Sequence, residues 1–402
     1  MQKILLLIAS LFYFNFILAE NEIKSWQGIH ETPLSCLEQQ FAEPPVEFAN
    51  HVIWGWEGKM DKKTICNDLD SIKKKGFRAV IFEAGYKLPF KYLSEEWFKA
   101  IRTGVLEAKK RGMKVWIIDE GKYPSGFAGG KFSQERPDLR MQALVIGDTI
   151  QIKRGEVMTN HKIAPEIISA VAVSTSGAPN RTVEINNGKI SFNAGLDDWK
   201  ILLVKSDFRT AVTRAVNNPN GGKDATNSLC DYLNPVAVQQ FIDWTHKQYK
   251  KYLGKELGTT VLGFRGDEPD YAHLPWTPSI VQTFKDTKGY DPTPYLASFF
   301  TASPTIQEQR VKADYWDVWS SLFATHFFKL QADWCAANGV AHITHLNKEH
   351  EMPACVKAEG DYFRNLSKVQ IPGVDAIWNQ IWPGTLNDFP KLASSVAHVY
   401  GK

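Results

Sequence analysis

The stretch Thr260-Val-Leu-Gly-Phe-Arg-Gly-Asp-Glu-Pro-Asp-Tyr271 decides the fold that we predict for this chain. Its apolar run, Val261 to Phe264, is short and rich in residues that favour β-strands. The run stops just before two adjacent carboxylates, Asp267 and Glu268. A strand that ends in carboxylates suits the mouth of an α/β barrel, where catalytic groups lie. Taken alone, the stretch is explained equally well as an acidic surface loop.

A repeated order of elements along the chain favours the barrel. Amphipathic helical segments end in cationic residues and a glycine, and an apolar strand follows. Cations stabilise the C-terminal end of a helix, and glycine adopts the left-handed conformation that ends it. The glycines of these joins are Gly76, Gly112, Gly258 and Gly339. Strands that alternate with helices predict a parallel sheet or a barrel. Since no G-x-G-x-x-G turn follows the first strand, we predict a (β/α)8 TIM-type barrel.

The pattern changes between about Ala143 and Ala225, where short β-prone runs surround a hairpin signal, Asn186-Asn187-Gly188. We predict an all-β module inserted after the third barrel strand. The expected organisation is a signal peptide (1–19), a lead-in (20–50), the first part of the barrel (51–142), the module (143–225) and the second part of the barrel (226–402). The sixth predicted strand is Gly373–Asn379. The sequence stops at Gly401-Lys402, where the rhythm predicts another strand, so we expect a truncated barrel whose last strands are missing.

The N-terminus predicts export. Met1-Gln2-Lys3 is followed by an apolar run from Ile4 to Ala19, and this order is typical of a cleaved secretory signal peptide. No later run reaches the roughly 18 apolar residues of a membrane span. We therefore expect a soluble periplasmic or extracellular protein without a membrane partner.

Composition excludes several classes of partner and cofactor. The net charge is +3, from 47 basic and 44 acidic residues, which argues against a nucleic-acid partner. The five cysteines lack C-x-x-C spacing, so a cysteine-bound zinc is not expected. The glycine-rich segment Lys122–Lys131 lacks the spacing of a phosphate loop, so we expect no nucleotide cofactor. We interpret it instead as a flexible loop that covers a sugar, with Tyr123 near the site.

Polar and aromatic residues recur where the predicted strands end. In a barrel they would converge on one rim as carboxylates, amides, an imidazole and indoles, which is the composition of a carbohydrate site. For each residue alone, a solvated loop side chain is the competing explanation. The predicted site residues are Trp54, Trp56, Glu57, Glu83, Asp119, Glu120, Tyr123, Asp267, Glu268, His345, Asn347, Asn379 and Trp382.

Glu268 is the predicted general acid. Glycosidic cleavage needs a proton delivered to the leaving oxygen, and the like charge of Asp267 would raise the proton affinity of Glu268. Asp267 is alternatively a structural partner or a ligand for a hard cation. Strand alternation places His342 and His345 on opposite faces, so we expect no shared zinc and predict that His345 forms a hydrogen bond with the sugar.

Several motifs together resemble one family. They are Val52-Ile-Trp-Gly-Trp56, Asp119–Gly130, Asp231-Tyr-Leu-Asn-Pro235, Gly266-Asp-Glu-Pro269, Ile371-Pro-Gly-Val-Asp375 and Ala393–His398. Over residues 45–402 the chain resembles exported bacterial glycoside hydrolases close to family 106, the α-L-rhamnosidase family. The resemblance implies a (β/α)8 barrel, hydrolysis with inversion, a general acid at Glu268 and calcium that helps to hold the sugar. It also implies later β-sandwich domains and a general base on a strand after Lys402.

The sequence thus predicts a carbohydrate-binding glycoside hydrolase, α-L-rhamnosidase-like, that degrades plant- or polysaccharide-derived glycosides. Glu268 is its acid, and Glu120 or Glu349 are the only substitutes for a base within the chain. The alternative is a catalytically inactive sugar-binding fragment of such an enzyme.

Overall fold

The computed structural model describes residues 33–43, 50–211, 213–214, 223–224, 226–271, 274–377, 380–384 and 388–402. The predicted signal peptide, much of the lead-in and Asn379 lie outside these ranges. Within them, no helix has both the length and the apolar character that a membrane crossing requires.

Helices and strands alternate in the first and last parts of the chain, and strands alone fill the middle. In the first part they are α1 (Leu34–Ala42), β1 (His51–Trp56), α2 (Lys62–Lys74), β2 (Ala79–Ala84), α3 (Glu95–Lys110), β3 (Lys114–Ile118) and α4 (Lys131–Glu135). The middle contains β4 (Gln142–Ile152), β5 (Val157–Lys162), β6 (Ile167–Ser174), β7 (Arg181–Thr182), β8 (Lys189–Asn193), β9 (Trp199–Phe208), β10 (Thr213–Arg214) and β11 (Lys223–Asp224).

The last part returns to helices and strands. It contains α5 (Pro235–Trp244), α6 (His246–Leu253), β12 (Val261–Arg265), β13 (Pro275–Trp276), α7 (Ile280–Lys288), α8 (Ile306–Phe323), α9 (Lys329–Ala337), β14 (Ala341–Thr344), α10 (Met352–Glu359), α11 (Tyr362–Leu366), β15 (Ile371–Pro372) and α12 (Pro390–Tyr400). A π-helical turn, Ala324–Phe328, joins α8 to α9.

Six strands form one parallel sheet in chain order, β1-β2-β3-β12-β14-β15. The predicted mixed α/β architecture with a parallel sheet is confirmed. Among the described residues β1 and β15 are the two edge strands, so closure into an eight-stranded barrel stays a prediction. The sixth strand, β15, lies just before the predicted range of Gly373–Asn379. The last backbone hydrogen bond to β14 is donated by the Gly373 N–H to the Thr344 carbonyl at 2.8 Å, and the chain then leaves the sheet.

The helices that the sequence predicts to end at Gly76 and Gly112 are present, and a polar side chain caps the start of each. The carboxylate of Asp61 accepts from the Thr64 N–H at the start of α2, and the Ser94 hydroxyl caps α3 in the same way. Gly76 and Gly112 follow these helices with φ of 95° and 67°, in the left-handed region. Local sequence therefore sets the ends of both helices.

Gly263 in the centre of β12 allows the sheet to pack tightly. A Cβ at this position would lie 2.0 Å from the carbonyl oxygen of Ala341 and 2.7 Å from the Trp116 ring. Trp116 belongs to a small apolar cluster on this face of the sheet, with Leu262 and Ala341. A larger side chain would have no room between β3 and β14.

Two antiparallel sheets occupy most of the range in which we predict the all-β module. One has the strand order β13-β4-β9-β6-β7, and the other is the pair β5–β8. Both residues of the predicted turn, Asn187 and Gly188, have positive φ, as a type I′ hairpin turn requires. β13 belongs to the second part of the chain and pairs with β4. This pairing joins the antiparallel sheet to the segment that follows Glu268.

An apolar stripe along α8, the π-helical turn and α9 belongs to the core. Trp319, Phe323 and Phe327 are buried, while Leu330 and Trp334 are partly buried and pack against the same cluster. The stripe therefore has a structural role, as its helical spacing indicates.

Candidate active site

Strand β12 delivers two carboxylates to a polar site at its C-terminal end. Val261 to Phe264 are buried, whereas the side chains of Asp267 and Glu268 retain 19% and 17% exposure. Glu268 has a φ of 39°, in the left-handed region that residues other than glycine rarely adopt. Backbone strain of this kind costs on the order of 1–3 kcal/mol and is concentrated at functional sites. The geometry thus directs Glu268 into the site at the expense of local stability.

His345, which directly follows β14, lies among three carboxyl groups. Its Nε2 is 3.4 Å from Asp267 Oδ1, 3.6 Å from Asp375 Oδ2 and 3.9 Å from Glu268 Oε1. Burial lowers the pKa of His345 to about 4, with Arg265 adding to the effect and Asp267 opposing it. The imidazole is therefore neutral at pH 7.

The contact with Arg265 also selects the tautomer of His345. The guanidinium can only donate, and its Nη2 lies 3.4 Å from His345 Nδ1, so Nδ1 accepts and Nε2 carries the proton. This buried Nε2 has no hydrogen-bond partner among the described residues. A hydrogen-bond donor thus points into the carboxyl cluster.

The electrostatics of the cluster keep Glu268 protonated. The pKa of Glu268 is raised to about 8, mainly by burial and then by the charges of Asp267, Asp375, Glu349 and Asp270 in that order. At pH 7 most molecules therefore hold the proton on Glu268, which is the state that a general acid needs. Burial also raises the pKa of Asp375.

Tyr123 and Asn347 extend the site, as the sequence predicts. The Tyr123 hydroxyl lies 3.4 Å from Asp270 Oδ2. Asn347 Nδ2 lies 3.2 Å from the Tyr123 hydroxyl and 3.3 Å from Asp270 Oδ2. The backbone N–H of Asn347 donates to buried Glu359. These bonds connect the glycine-rich loop to the segment that carries Glu268.

Glu120 is not placed to act as a base, which corrects its prediction as a catalytic residue. It is 1% exposed and accepts hydrogen bonds from the backbone N–H groups of Gly121, Ala128 and Gly129. Burial raises the pKa of Glu120 to about 8 although these bonds favour the charged form. Its carboxyl group organises the loop from within and does not face substrate.

Asp119 likewise supports the site without facing it, contrary to its predicted contact with sugar. It is fully buried and accepts from the Ser125 hydroxyl at 2.6 Å, and that hydroxyl accepts from the Asp267 N–H at 2.7 Å. The glycine-rich loop is thereby fixed to the end of β12. Glu349, the other substitute for a base, is 2% exposed and accepts from the Leu346 N–H, so it too lacks the access a base needs.

Two predicted sugar-stacking residues belong to the core. Trp56 is fully buried, with its ring 5.0 Å from Phe82 and 5.7 Å from Trp97. Trp54 is partly buried and packs on Trp56 and Phe82. The prediction that Trp54 and Trp56 bind sugar is therefore wrong. Strand alternation places both on one face of β1, and that face packs on helices.

The remaining predicted residues lie elsewhere. Glu83 forms an ion pair with Lys122 at 3.0 Å, and exposed Glu57 accepts from the Tyr86 N–H. Trp382 is 58% exposed. Asn379 lies outside the described residues.

Four site residues were missed by the sequence reasoning: Arg265, Asp270, Glu359 and Asp375. Arg265 and Asp270 flank the quoted acidic pair, and Asp375 ends a motif that carries the resemblance. Sequence signals therefore existed for these three. Glu359 is buried in a helix, and only the fold shows that it accepts a hydrogen bond from Asn347.

One candidate metal group lies in the site. Atoms of Glu268, His345 and Asp375 all lie within 4.8 Å of one another. Calcium binds six to eight oxygens, whereas this group offers two carboxylates and a nitrogen. The donor set does not match calcium, so we derive no catalytic step through it, and the predicted calcium remains a prediction.

A second candidate metal group lies in the core behind β12 and combines His246, Cys335 and His342. His342 and His345 thus fall in different groups, in keeping with strand alternation. Burial lowers the pKa of His342 to about 4 and raises the pKa of the Cys335 thiol. His246 packs on the Phe264 ring at 4.2 Å. Burial thus favours the neutral form of all three side chains, and His246 Nε2 and His342 Nδ1 are buried without a hydrogen-bond partner among the described residues.

Comparisons with known proteins match these observations. The profile of a family described as alpha-L-rhamnosidase matches residues 148–402. A curated protein of Formosa agariphila named "Putative beta-glucuronidase" is 24% identical over 91% of this chain and 34% of its own length. The solved rhamnosidase from Novosphingobium sp. PP1Y shares the fold with a TM-score of 0.66 and 16% identity, over 92% of this chain and 52% of that one. The chain therefore spans about a third of the curated relative and half of the solved one.

Proposed function

Because this chain belongs to the α-L-rhamnosidase family of glycoside hydrolases, we propose that it carries the acid-catalytic half of an enzyme that cleaves α-L-rhamnosides. The observation that carries the proposal is Glu268. Its carboxyl group is partly exposed at the end of a parallel strand and is kept protonated by burial and four neighbouring acids.

Glu268 donates its proton to the glycosidic oxygen as the bond to the sugar breaks. A general acid of this kind contributes about 10²- to 10⁴-fold to rate. Its proton is available up to about pH 8 because burial, and then the charges of the surrounding carboxylates, raise its pKa. Asp267 contributes by raising the pKa of Glu268, since it is the first of the charges that do so.

The sugar is held by the hydrogen-bonding groups around Glu268. Asn347, Tyr123 and Asp270 form a connected polar wall, and the buried Nε2–H of His345 faces the carboxyl groups beside it. The rigidity of this wall comes from the buried Asp119 and Glu120, which fix the loop that carries Tyr123.

Asp375 is a poor candidate for the general base. Inversion, which the resemblance implies, requires carboxyl groups about 6.5–9.5 Å apart so that a water fits between them. Atoms of Glu268 and Asp375 lie within 4.8 Å. We assign Asp375 to raising the pKa of Glu268 and to binding sugar hydroxyls.

The wider context is part of the same proposal. We propose that the six-stranded sheet belongs to a (β/α)8 barrel, that the protein is exported to the periplasm or beyond, and that its substrates come from plant or microbial polysaccharides. Metal analysis of the purified protein, before and after treatment with a chelator, tests whether it binds calcium.

Hydrolysis of a pair of rhamnosides tests the role of Glu268. Methyl α-L-rhamnoside has a poor leaving group that needs a proton, whereas the 2,4-dinitrophenyl glycoside does not. Replacing Glu268 with Gln should reduce turnover of the methyl glycoside about 10²- to 10⁴-fold and affect the dinitrophenyl glycoside much less. Glu166→Gln, at an exposed site in the β-rich region, is the matched control. Equal turnover of the methyl glycoside by wild type and Glu268→Gln would exclude Glu268 as the acid.

The same assays separate two alternatives. Aryl β-D-glucuronide is included because the Formosa agariphila relative is named for that activity. Faster cleavage of the glucuronide than of the rhamnoside would replace rhamnose as the proposed sugar. Saturable binding of L-rhamnose without hydrolysis of either substrate would instead support the inactive sugar-binding fragment.

A further inference from the structure

A cluster of metal-ligating side chains lies in the core, separate from the carboxyl cluster around Glu268. It consists of His246 at the start of α6, Cys335 on α9 and His342 on β14, and we call it the core triad. One ligand atom from each residue lies within 4.8 Å of the other two. All three residues are at most 1% exposed. They are far apart in the sequence, so the spacing of the cysteines, which argued against bound zinc, does not reveal them.

The hydrogen bonds of Thr245 fix the tautomer of His246. The Thr245 hydroxyl donates its single proton to the Phe241 carbonyl at 2.7 Å, because a carbonyl can only accept. At its 2.9 Å contact with His246 Nδ1 the same hydroxyl therefore accepts, and Nδ1 carries the ring proton. The other nitrogen, Nε2, holds a lone pair, is buried and has no hydrogen-bond partner among the described residues. Metal-bound histidines are oriented in the same way, by a hydrogen bond from the nitrogen that does not bind the metal.

His342 presents a second buried nitrogen without a partner. Its Nδ1 makes no hydrogen bond within the described part of the chain. A buried polar atom that is left unpaired costs free energy, and an ion is one of the explanations for such atoms in native structures. Because two such nitrogens belong to residues that share a cluster with a thiol, a common ligand explains them better than ordinary core packing does.

Gln370 fixes two elements of the core triad to each other. Its side-chain carbonyl accepts from the His342 N–H at 2.8 Å, and its amide donates to the Ala332 carbonyl at 3.0 Å. Ala332 lies on α9, the helix that carries Cys335. A site whose elements are fixed in this way binds an ion without a large rearrangement of the chain.

Aromatic rings surround the core triad. Phe264 of β12 is the register partner of His342, and its ring lies 4.2 Å from the His246 ring. The Trp334 ring lies 5.3 Å from the same imidazole. In apolar surroundings an uncompensated charge is costly, so the net charge of the occupied site helps to decide which ion it holds.

Donor type and charge select the ion. The core triad offers two imidazole nitrogens and a thiol sulfur without a carboxylate, so it suits neither calcium nor magnesium. Two histidines and one cysteine are the trigonal donor set of copper centres. Monovalent copper and one thiolate leave no net charge, whereas zinc would leave one positive charge. Structural zinc also takes four ligands, and the core triad supplies three.

We propose that the core triad binds one copper(I) ion through His246 Nε2, Cys335 Sγ and His342. The thiol proton passes to solvent as the bond between copper and sulfur forms, because the thiolate is the ligand. Metal bonds to nitrogen and sulfur of about 2.0–2.3 Å place donor atoms about 3.5–4 Å apart, which small side-chain adjustments provide. The ion joins α6 and α9 to β14, behind the strand that ends at Glu268. It stabilises the fold and takes no part in the proposed hydrolysis.

Competition with a chelator measures copper binding. Purified protein is held overnight without oxygen in the presence of copper(I) bicinchoninate, because a buried site fills only as the core opens transiently. Wild type should withdraw one equivalent of copper that Cys335→Ala does not withdraw. The loss of a ligand should weaken binding at least about 100-fold, since the loss of an outer partner alone weakens it about 10- to 100-fold. Cys355→Ala removes a buried cysteine outside the core triad and should bind copper as wild type does.

Two variants of Thr245 test the assigned tautomer of His246. Thr245→Val keeps the shape of the side chain but removes the acceptor of the Nδ1 proton, so it should weaken copper binding about 10- to 100-fold. Thr245→Ser keeps the hydroxyl and should retain an affinity near that of wild type. Equal affinity in the two variants would contradict His246 Nε2 as a donor.

Spectroscopy and melting locate the ion. X-ray absorption at the copper edge should show one sulfur and two nitrogen neighbours, with the sulfur lost in Cys335→Ala. Bound copper should raise the Tm of wild type by about 5 °C and leave that of Cys335→Ala unchanged. Circular dichroism checks that each variant is folded, and the Thr245 pair decides if Cys335→Ala is not.

Three outcomes would overturn the proposal. They are no uptake of copper by wild type, equal uptake by wild type and folded Cys335→Ala, and uptake of zinc but not of copper by the same three residues. Hydrolysis of rhamnosides is assayed separately, so failure of the copper site and failure of the proposed function are distinguishable.

Discussion

Replacing Glu268 with Gln should make the protein more stable at pH 8 while it removes acid catalysis. The pKa of Glu268 is raised from 4.5 to about 8 in the folded protein. The folded state therefore holds a proton that the unfolded state releases between these two values. For an acid with a raised folded pKa, the free energy of unfolding falls as pH rises through this window, and the loss is complete above pH 8. Gln carries no titratable proton, so this pH-dependent decrease in the free energy of unfolding does not occur in the variant.

The two pKa values set the magnitude. Relative to low pH, where Glu268 is protonated in both states, its ionisation lowers the free energy of unfolding. By proton linkage the decrease is about 1 kcal/mol at pH 5 and about 4 kcal/mol at pH 8. Gln adds its own desolvation penalty, but that penalty does not change with pH. The stability difference between variant and wild type should therefore shift by about 3 kcal/mol in favour of the variant between pH 5 and pH 8.

Urea denaturation at both pH values measures this shift. Circular dichroism and tryptophan fluorescence should give coincident transitions, which is the condition for comparing free energies of unfolding. Glu166→Gln, the exposed control, should show no pH-dependent difference from wild type. A stability difference for Glu268→Gln that is the same at pH 5 and pH 8, or that moves against the variant, would refute the assignment of a raised pKa.

Three further predictions address the site and its support. Hydrolysis of rhamnosides by wild type should decline about tenfold per pH unit above pH 8, because the acid Glu268 loses its proton there; a flat kcat/KM profile up to pH 10 would contradict this. Gly263→Ala should prevent folding or lower the free energy of unfolding by more than about 3 kcal/mol in a denaturant titration, since its Cβ would lie 2.0 Å from a carbonyl oxygen of β14. Gly55→Ala is the control. The nearest contact of its Cβ would be at 3.5 Å, so it should lower the free energy of unfolding by less than about 1 kcal/mol. Glu120→Gln should lower the free energy of unfolding by about 2–3 kcal/mol at pH 9, where the Glu120 carboxyl group is charged, because an amide NH₂ would face backbone donors. Glu135→Gln is the exposed control, and wild-type stability in Glu120→Gln at this pH would show that the loop does not depend on that carboxylate.

The sequence predicted the order of the elements and the position of the acid. Helix ends are local events, so the caps at Asp61 and Ser94 and the glycines that follow α2 and α3 were readable from short stretches. Parallel strands bring their C-terminal ends to one edge, so Glu268 and His345 were expected in one place before any contact was known. Their separation of 3.9 Å agrees with that expectation.

Other features depended on contacts between distant parts of the chain. Strand alternation alone does not say which face of β1 packs on helices, and the structure buries Trp56 against Trp97. Glu120 became a loop anchor because Ala128 and Gly129 fold back onto it.

The sequence by itself determined the parallel α/β framework and the carboxylate at the end of β12, because both follow from local capping, glycine conformation and strand periodicity. Only the tertiary structure decided which acids are reachable and which are buried supports. It also brought His345 and Asp375 together beside Glu268. These residues follow three different strands, and no local pattern records that the fold gathers them in one site.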